Sequence, residues 1–188
     1  MLGLDRASAL DQRIADTPHV MKILLTPYQP SWPRLFDIEQ ERIERALQPD
    51  SPRIEHIGST SIPGLAAKPV IDVLVGLPSF DLAPIAVERM VAHGYVYLPD
   101  YEDGMPFRRL FIREADGVRI SNVHMVEVDT PFWIRHLAFR DHLRAHPDVR
   151  DQYQQIKLDL ATREWDSVND YAQAKTDFIR AVEARILG

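Results

Sequence analysis

One aspartate, Asp72, interrupts an otherwise apolar run from Pro69 to Leu77, and a Gly58-Ser59-Thr60 turn precedes it. A strand that reads as buried on both faces does not normally carry a charge, so Asp72 needs a partner or a site. Gly58 lets the backbone approach a ligand closely, and Ser59 and Thr60 offer short donors. Lys68 adds positive charge from a Gly/Pro-rich loop. The combination suits phosphate. Amides at the turn would hold its oxygens, and a carboxylate on the next strand would hold a Mg²⁺ that neutralises its charge. The same residues also fit an ordinary turn or cap, with Asp72 paired to Lys68 or Arg108.

Other candidates fall on neighbouring elements. His56 lies just before the turn, and His124 sits in a later strand with Asn122 and Val126 at the alternating positions. Each could act as general base, phosphate donor or metal ligand, or be a satisfied core histidine. Both are expected on strands lining one cleft. Arg108 and Arg109 are adjacent in a strand, so one of them faces the cleft and could grip phosphate bidentately. Arg140 is a second-rank phosphate candidate on a helix. His142 and His146 have a metal-ligand spacing, but the end of a helix also favours cationic side chains. Tyr153-x-x-x-Lys157 and Tyr171-x-x-x-Lys175 could form a substrate-facing wall, or equally be packing with snorkelling lysines.

These residues need a scaffold. Ser31 and Pro33 start a helix carrying Leu35, Ile38, Ile43 and Leu47, which Pro49 and Pro52 stop. Arg53–Ile57 reads as a short strand and Pro69–Leu77 as a buried one. A helix over Leu82–His93 ends at Gly94, and Tyr95–Leu98 follows as a strand. Phe107–Arg113 and Val118–Val128 read as a hairpin around Asp116-Gly117. From Asp129 the pattern is helical, with helices over 131–146, 149–163 and 167–187. Lys22–Leu25 reads as a strand, and residues 1–21 as a peripheral arm with a short helix over 7–14. Residues 22–188 form one expected α/β domain, mostly helical over 129–188.

The 188 residues carry a formal net charge of −6 and no cysteine. There is thus no disulfide or thiolate zinc framework, and a broad nucleic-acid footprint is not expected. No apolar run is long enough to span a membrane, and a cytoplasmic location is expected. The expected ligand is a phosphorylated small molecule or nucleotide, and a protein partner is a further option.

The stretch from His56 through Gly58, Ser59, Thr60, Pro63, Gly64 and Lys68 to Asp72 closely resembles the signature of the GrpB family. Tyr28-Gln-Pro-Ser-Trp-Pro, Asn122-Val-His-Met-Val and the Arg135-to-Pro147 helix match further family motifs, so the resemblance covers about Lys22 to the C-terminus. It implies a fold like the DNA polymerase β-type nucleotidyltransferases: a mixed β-sheet flanked by helices, with a helical C-terminal portion. It also implies similarity to an accessory domain fused to some dephospho-CoA kinases, described as a protein-folding accessory domain. In that superfamily a second carboxylate normally follows at the position of Leu74, and a third comes from a later strand. With Asp72 and His124 as the remaining metal candidates, Mg²⁺ or Mn²⁺ would be held together with nucleotide. Three readings follow: a nucleotidyltransferase or nucleotide-binding domain, a non-catalytic module for a CoA-like ligand or protein partner, and a metal-dependent hydrolase using His56, Asp72 and His124.

Overall fold

The computed structural model describes residues 21–188, so the expected helix over 7–14, and all of the expected arm but Met21, lie outside the described residues. A five-stranded mixed sheet forms the centre. Its strands are β2 (Arg53–Ile57), β3 (Ile71–Leu77), β4 (Val96–Tyr97), β5 (Arg109–Ala115) and β6 (Val118–Glu127), in the order β2-β3-β6-β5-β4. β3 and β6 are parallel and the other pairs antiparallel. β3 is therefore a central strand, and packing layers cover both of its faces, which accounts for its continuous apolar sequence. β5 and β6 are joined by Asp116-Gly117, both at positive φ (52° and 74°), as a two-residue hairpin requires.

Strand alternation sorts the side chains onto two faces. On one, Val73, Val75, Val123, Met125 and Phe111 pack against α1 (Trp32–Leu47) and α2 (Ala83–Ala92). On the other, Ile57, Leu74 and Val126 pack against Phe132 and Trp133 of α3 (Pro131–Ala145). α4 (Pro147–Ala161), α5 (Val168–Gln173) and α6 (Thr176–Leu187) complete this second layer. Ile62 and Leu65, just after the glycine turn, are buried among Leu143, Val149, Tyr153 and Val182. The turn is thus anchored to the C-terminal helices by apolar burial.

Three details differ from the sequence expectation. Pro147 opens α4 instead of separating two helices, because a proline at the first helical position loses no hydrogen bond. The expected helix over 167–187 is two helices, broken between Gln173 and Thr176. β1 (Met21–Lys22) pairs with an unforeseen β7 (Glu164–Trp165), and Thr26 continues the line by bridging to Ala67. Two-residue strands are too short to show a period.

Candidate functional site

β2 and β3 pair so that Ile57 lies opposite Asp72. The chain leaves β2 through Gly58, at φ +69°, and makes one tight turn over Ser59–Ser61. The Ser61 hydroxyl closes it by donating to the Gly58 carbonyl at 2.7 Å. Gly58 is pressed against the Asp72 carboxylate, and any Cβ there would lie well inside contact distance of it. Gly58→Ala is therefore expected to cost about 1–3 kcal/mol through strain and overpacking, measured by urea denaturation.

Asp72 is not bare. Its Oδ1 accepts a hydrogen bond from Asn122 Nδ2 at 2.8 Å, and the two residues are paired across β3 and β6. Three lysines from separate segments act on its charge: Lys68 from the loop before β3, Lys157 from α4, and Lys175 from the break between α5 and α6. Lys157 is buried, donates to the Ala66 carbonyl, and sits 5.4 Å from the Tyr153 ring centroid. Lys175 and Lys68 share the ring of Tyr171, at 4.2 and 5.9 Å. Among the described residues, none of the three makes a direct ion pair with a carboxylate.

The electrostatics follow from crowding like charges out of water. Burial, then the charge of Lys175, pushes the Lys157 ammonium down to about 7. Burial, then Lys68, pushes Lys175 down to about 8. Lys68 is also lowered by burial, against the pull of Asp72. Burial raises Asp72, opposed by the Asn122 bond and the lysines. Tyr153 lies beside Ser59, and burial raises its phenol well above the ordinary value.

Two residues beyond Asn122 on the same face of β6 stands His124. Arg108 places a guanidinium nitrogen 3.4 Å from its Nδ1, donates to the Tyr101 carbonyl at 3.1 Å, and leaves its buried Nε without a partner. Arg109 goes to the other face and pairs with Glu102 at 3.0 Å, so the expected division of this Arg pair is present. His136 of α3, which the sequence reading overlooked, stands 6.5 Å from His124 and donates from Nδ1 to the Phe132 carbonyl. Burial, with nearby cationic groups, depresses His124 to about 3 and His136 to about 4. Both rings are neutral near pH 7. A cleft of ≈ 170 Å³ joins this region to the turn, with Gly58, Ser59, Tyr153, Phe139, Arg135 and His136 among its walls.

His56 is elsewhere. It pairs with Val73 across β2 and β3, so its side chain lies on the opposite face of the sheet from Asp72 and His124. There it stacks on Phe36 (4.7 Å between centroids, 2° between planes), with Nε2 3.0 Å from the Thr60 hydroxyl. Burial, then the charges of Arg144 and Arg140, lower His56 to about 4. His56 and buried Thr60 thus brace the turn from behind, and the one cleft expected for both histidines does not form. The hydrolase arrangement of His56, Asp72 and His124 loses its geometry for the same reason.

Arg140 borders the cleft, but its guanidinium is held by Glu55 at 2.7 Å, the His56 carbonyl at 3.0 Å and Asp141 at 2.7 and 3.1 Å. It straps α3 to β2 in place of the free phosphate contact expected from sequence. Arg144 does the same for the turn, donating twice to the Ser61 carbonyl at 3.0 and 2.8 Å. His142 and His146 stack on each other at 4.0 Å and do not line the cleft.

The residues around Asp72 do not fit a divalent ion. Mg²⁺ and Mn²⁺ prefer several oxygen ligands. Asp72 is surrounded by an amide and ammonium groups, and its strand neighbour Leu74 is buried under Phe132 and Trp133. No cluster of three or more His, Asp or Glu side chains among the described residues is arranged to hold a metal. Nor is any described helix long and apolar enough to cross a membrane.

A mixed sheet flanked by helices, carrying a glycine turn against one lysine-surrounded carboxylate, defines an α/β domain with a candidate anion site. The chain belongs to the GrpB family: the family model described as GrpB protein matches residues 22–185. The crystal structure of a conserved GrpB protein from Enterococcus faecalis superposes with a TM-score of 0.77 and 35% identity, over 87% of this chain and 97% of that one. UPF0157 protein YqkA of Bacillus subtilis is 41% identical over 86% of this chain, which spans only 46% of YqkA. A dephospho-CoA kinase of Mycolicibacterium paratuberculosis is 29% identical over 84% of this chain, which again spans less than half, 44%, of that relative.

Proposed function

We propose that this domain binds a phosphorylated small molecule of nucleotide type, with its phosphate over Gly58, Ser59 and Lys68. The observation that carries this reading is the gathering of Lys68, Lys157 and Lys175 on the rings of Tyr171 and Tyr153, within electrostatic reach of the one carboxylate, Asp72, against which the Gly58 turn packs. Such an excess of partly buried positive charge is costly without an anionic partner, and phosphate is the anion a turn of this kind suits. The adjoining cleft, walled by Phe139 and Tyr153 and edged by Arg135 and His136, would take the rest of the ligand. Arg108 and His124 lie on the same face, where the Arg108 guanidinium adds positive charge toward a second anionic group of the ligand.

The burial of Leu74 favours binding over a two-metal transfer reaction, so the second reading is a module without turnover. A CoA-like ligand, a role beside a second enzyme domain and a cytoplasmic setting belong to that reading. Similarity to part of a dephospho-CoA kinase supports it. The test is thermal denaturation with nucleoside mono-, di- and triphosphates and coenzyme A. A ligand at about 100 times its Kd should add about 2.7 kcal/mol, which is a shift of several degrees for a domain of this size. Absence of any shift at millimolar ligand would sink the proposal. Pyrophosphate released from a bound triphosphate would replace the module with an enzyme.

A further inference from the structure

We infer that the site holds its phosphate without a divalent cation, the ammonium groups of Lys68, Lys157 and Lys175 neutralising the charge that a metal would otherwise neutralise. This rests on the phosphate reading above and specifies how the anion is held.

The first support is the carboxylate inventory on this face of the sheet. A metal would need oxygens besides those of Asp72. Leu74 follows on the same strand face, is completely buried, and is packed against Phe132 and Trp133, so nothing there can supply one. The next acid across the sheet is Glu55, which pairs with Leu74 between β2 and β3. Its carboxylate is held by Arg140 at 2.7 Å. On the other side Asn122 turns its amide nitrogen, a donor, toward Asp72. Each position that could have supplied a second oxygen ligand carries an apolar group, a donor or an acid already in an ion pair.

The second support is how the lysines are braced. Lys157 rests on the Ala66 carbonyl and the Tyr153 ring, and Lys68 and Lys175 on the ring of Tyr171, itself buried. Carbonyls and aromatic faces hold an ammonium in place without cancelling its charge. The lysines come from a loop, a helix and a helix break, so their meeting is a property of the tertiary fold and not of one charged surface segment. A divalent cation placed beside Asp72 would face up to three ammonium groups, whereas a phosphate there would be attracted by all of them.

The experiment is calorimetric titration of the full chain with ADP and with inorganic diphosphate, each in EDTA and in excess Mg²⁺ or Mn²⁺. Binding in EDTA should equal or exceed that with the cation, within about threefold. Lys68→Met and Lys175→Met, checked for native circular dichroism, should each weaken it by about tenfold or more. Binding that appears only with the cation overturns the inference and leaves the phosphate reading intact. Wild-type affinity in both lysine variants also overturns it. No binding under any condition overturns both.

Discussion

Lys157→Met is expected to stabilise the folded protein near neutral pH while weakening phosphate binding by about tenfold or more. Lys157 is 2% exposed, and its amine donates to the Ala66 carbonyl. Burial and the neighbouring Lys175 bring its value down from 10.5 to about 7. The unfolded chain therefore binds this proton more tightly than the folded one. Below pH 7 the penalty is present in full, and it is relieved as pH rises from about 7 toward 10.5. At about 1.4 kcal/mol per unit the penalty is a few kcal/mol, on the order of 4 to 5 at most. Methionine fills a similar volume without charge, and leaving the Ala66 carbonyl unpaired costs back about 1–3 kcal/mol. The net gain is about 1–3 kcal/mol at pH 7 and disappears near pH 10. Urea denaturation at both pH values measures it. Stability of the wild type should rise over this range while that of the variant stays flatter. A variant less stable than wild type at pH 7 would show that Lys157 serves the fold and not the site. A residue that weakens the fold to serve a ligand is common in binding sites and rare in cores.

The sequence carried the elements of this site more clearly than their meeting. The apolar run of β3, the Asp116-Gly117 hairpin and the helix starts at Pro33 and Pro131 are local signals, read from one stretch of chain at a time. Gly58 and Asp72 belong to the same class, because a lone acid in a buried strand stands out without a fold. His56 does not. Alternation relates residues within a strand, but only the register of Ile57 with Asp72 reveals that His56 and Asp72 face opposite ways. Arg140 looks like a phosphate ligand until Glu55, 85 residues away, is seen beside it. Lys175 was hidden for a different reason. A continuous helix over 167–187 would leave it as one more exposed charge, whereas the break before Thr176 brings it to Asp72. The repeated Tyr-x-x-x-Lys spacing was the available clue. Each tyrosine face indeed carries its own lysine, but the spacing alone could not distinguish a site wall from snorkelling.

Acidification below about pH 6.5 is expected to unfold this protein through its histidines. His56 and His136 are held at about 4, and His124 at about 3, against 6.5 for an unburied imidazole. The groups facing them are cationic or neutral: Arg140 and Arg144 for His56, Arg108, Arg135 and His136 for His124, and Arg135, Arg108 and Arg180 for His136. Because the folded values are the lower ones, the folded state refuses protons that the unfolded chain accepts. The resulting stability is complete above about pH 6.5 and falls as pH drops toward 4. Each histidine contributes a slope of about 1.4 kcal/mol per pH unit, so three together give about 4. Two units of acidification then remove roughly 6–8 kcal/mol, comparable to the whole stability of an ordinary domain. Urea denaturation in steps from pH 7 to 4.5 should show an uptake approaching three protons on unfolding. His136→Asn, whose amide nitrogen takes the place of Nδ1 beside the Phe132 carbonyl, should reduce that number by about one. An uptake below one proton would mean that the three rings are hydrated or paired in solution. The neutral imidazoles of His56, His124 and His136 would then be wrong.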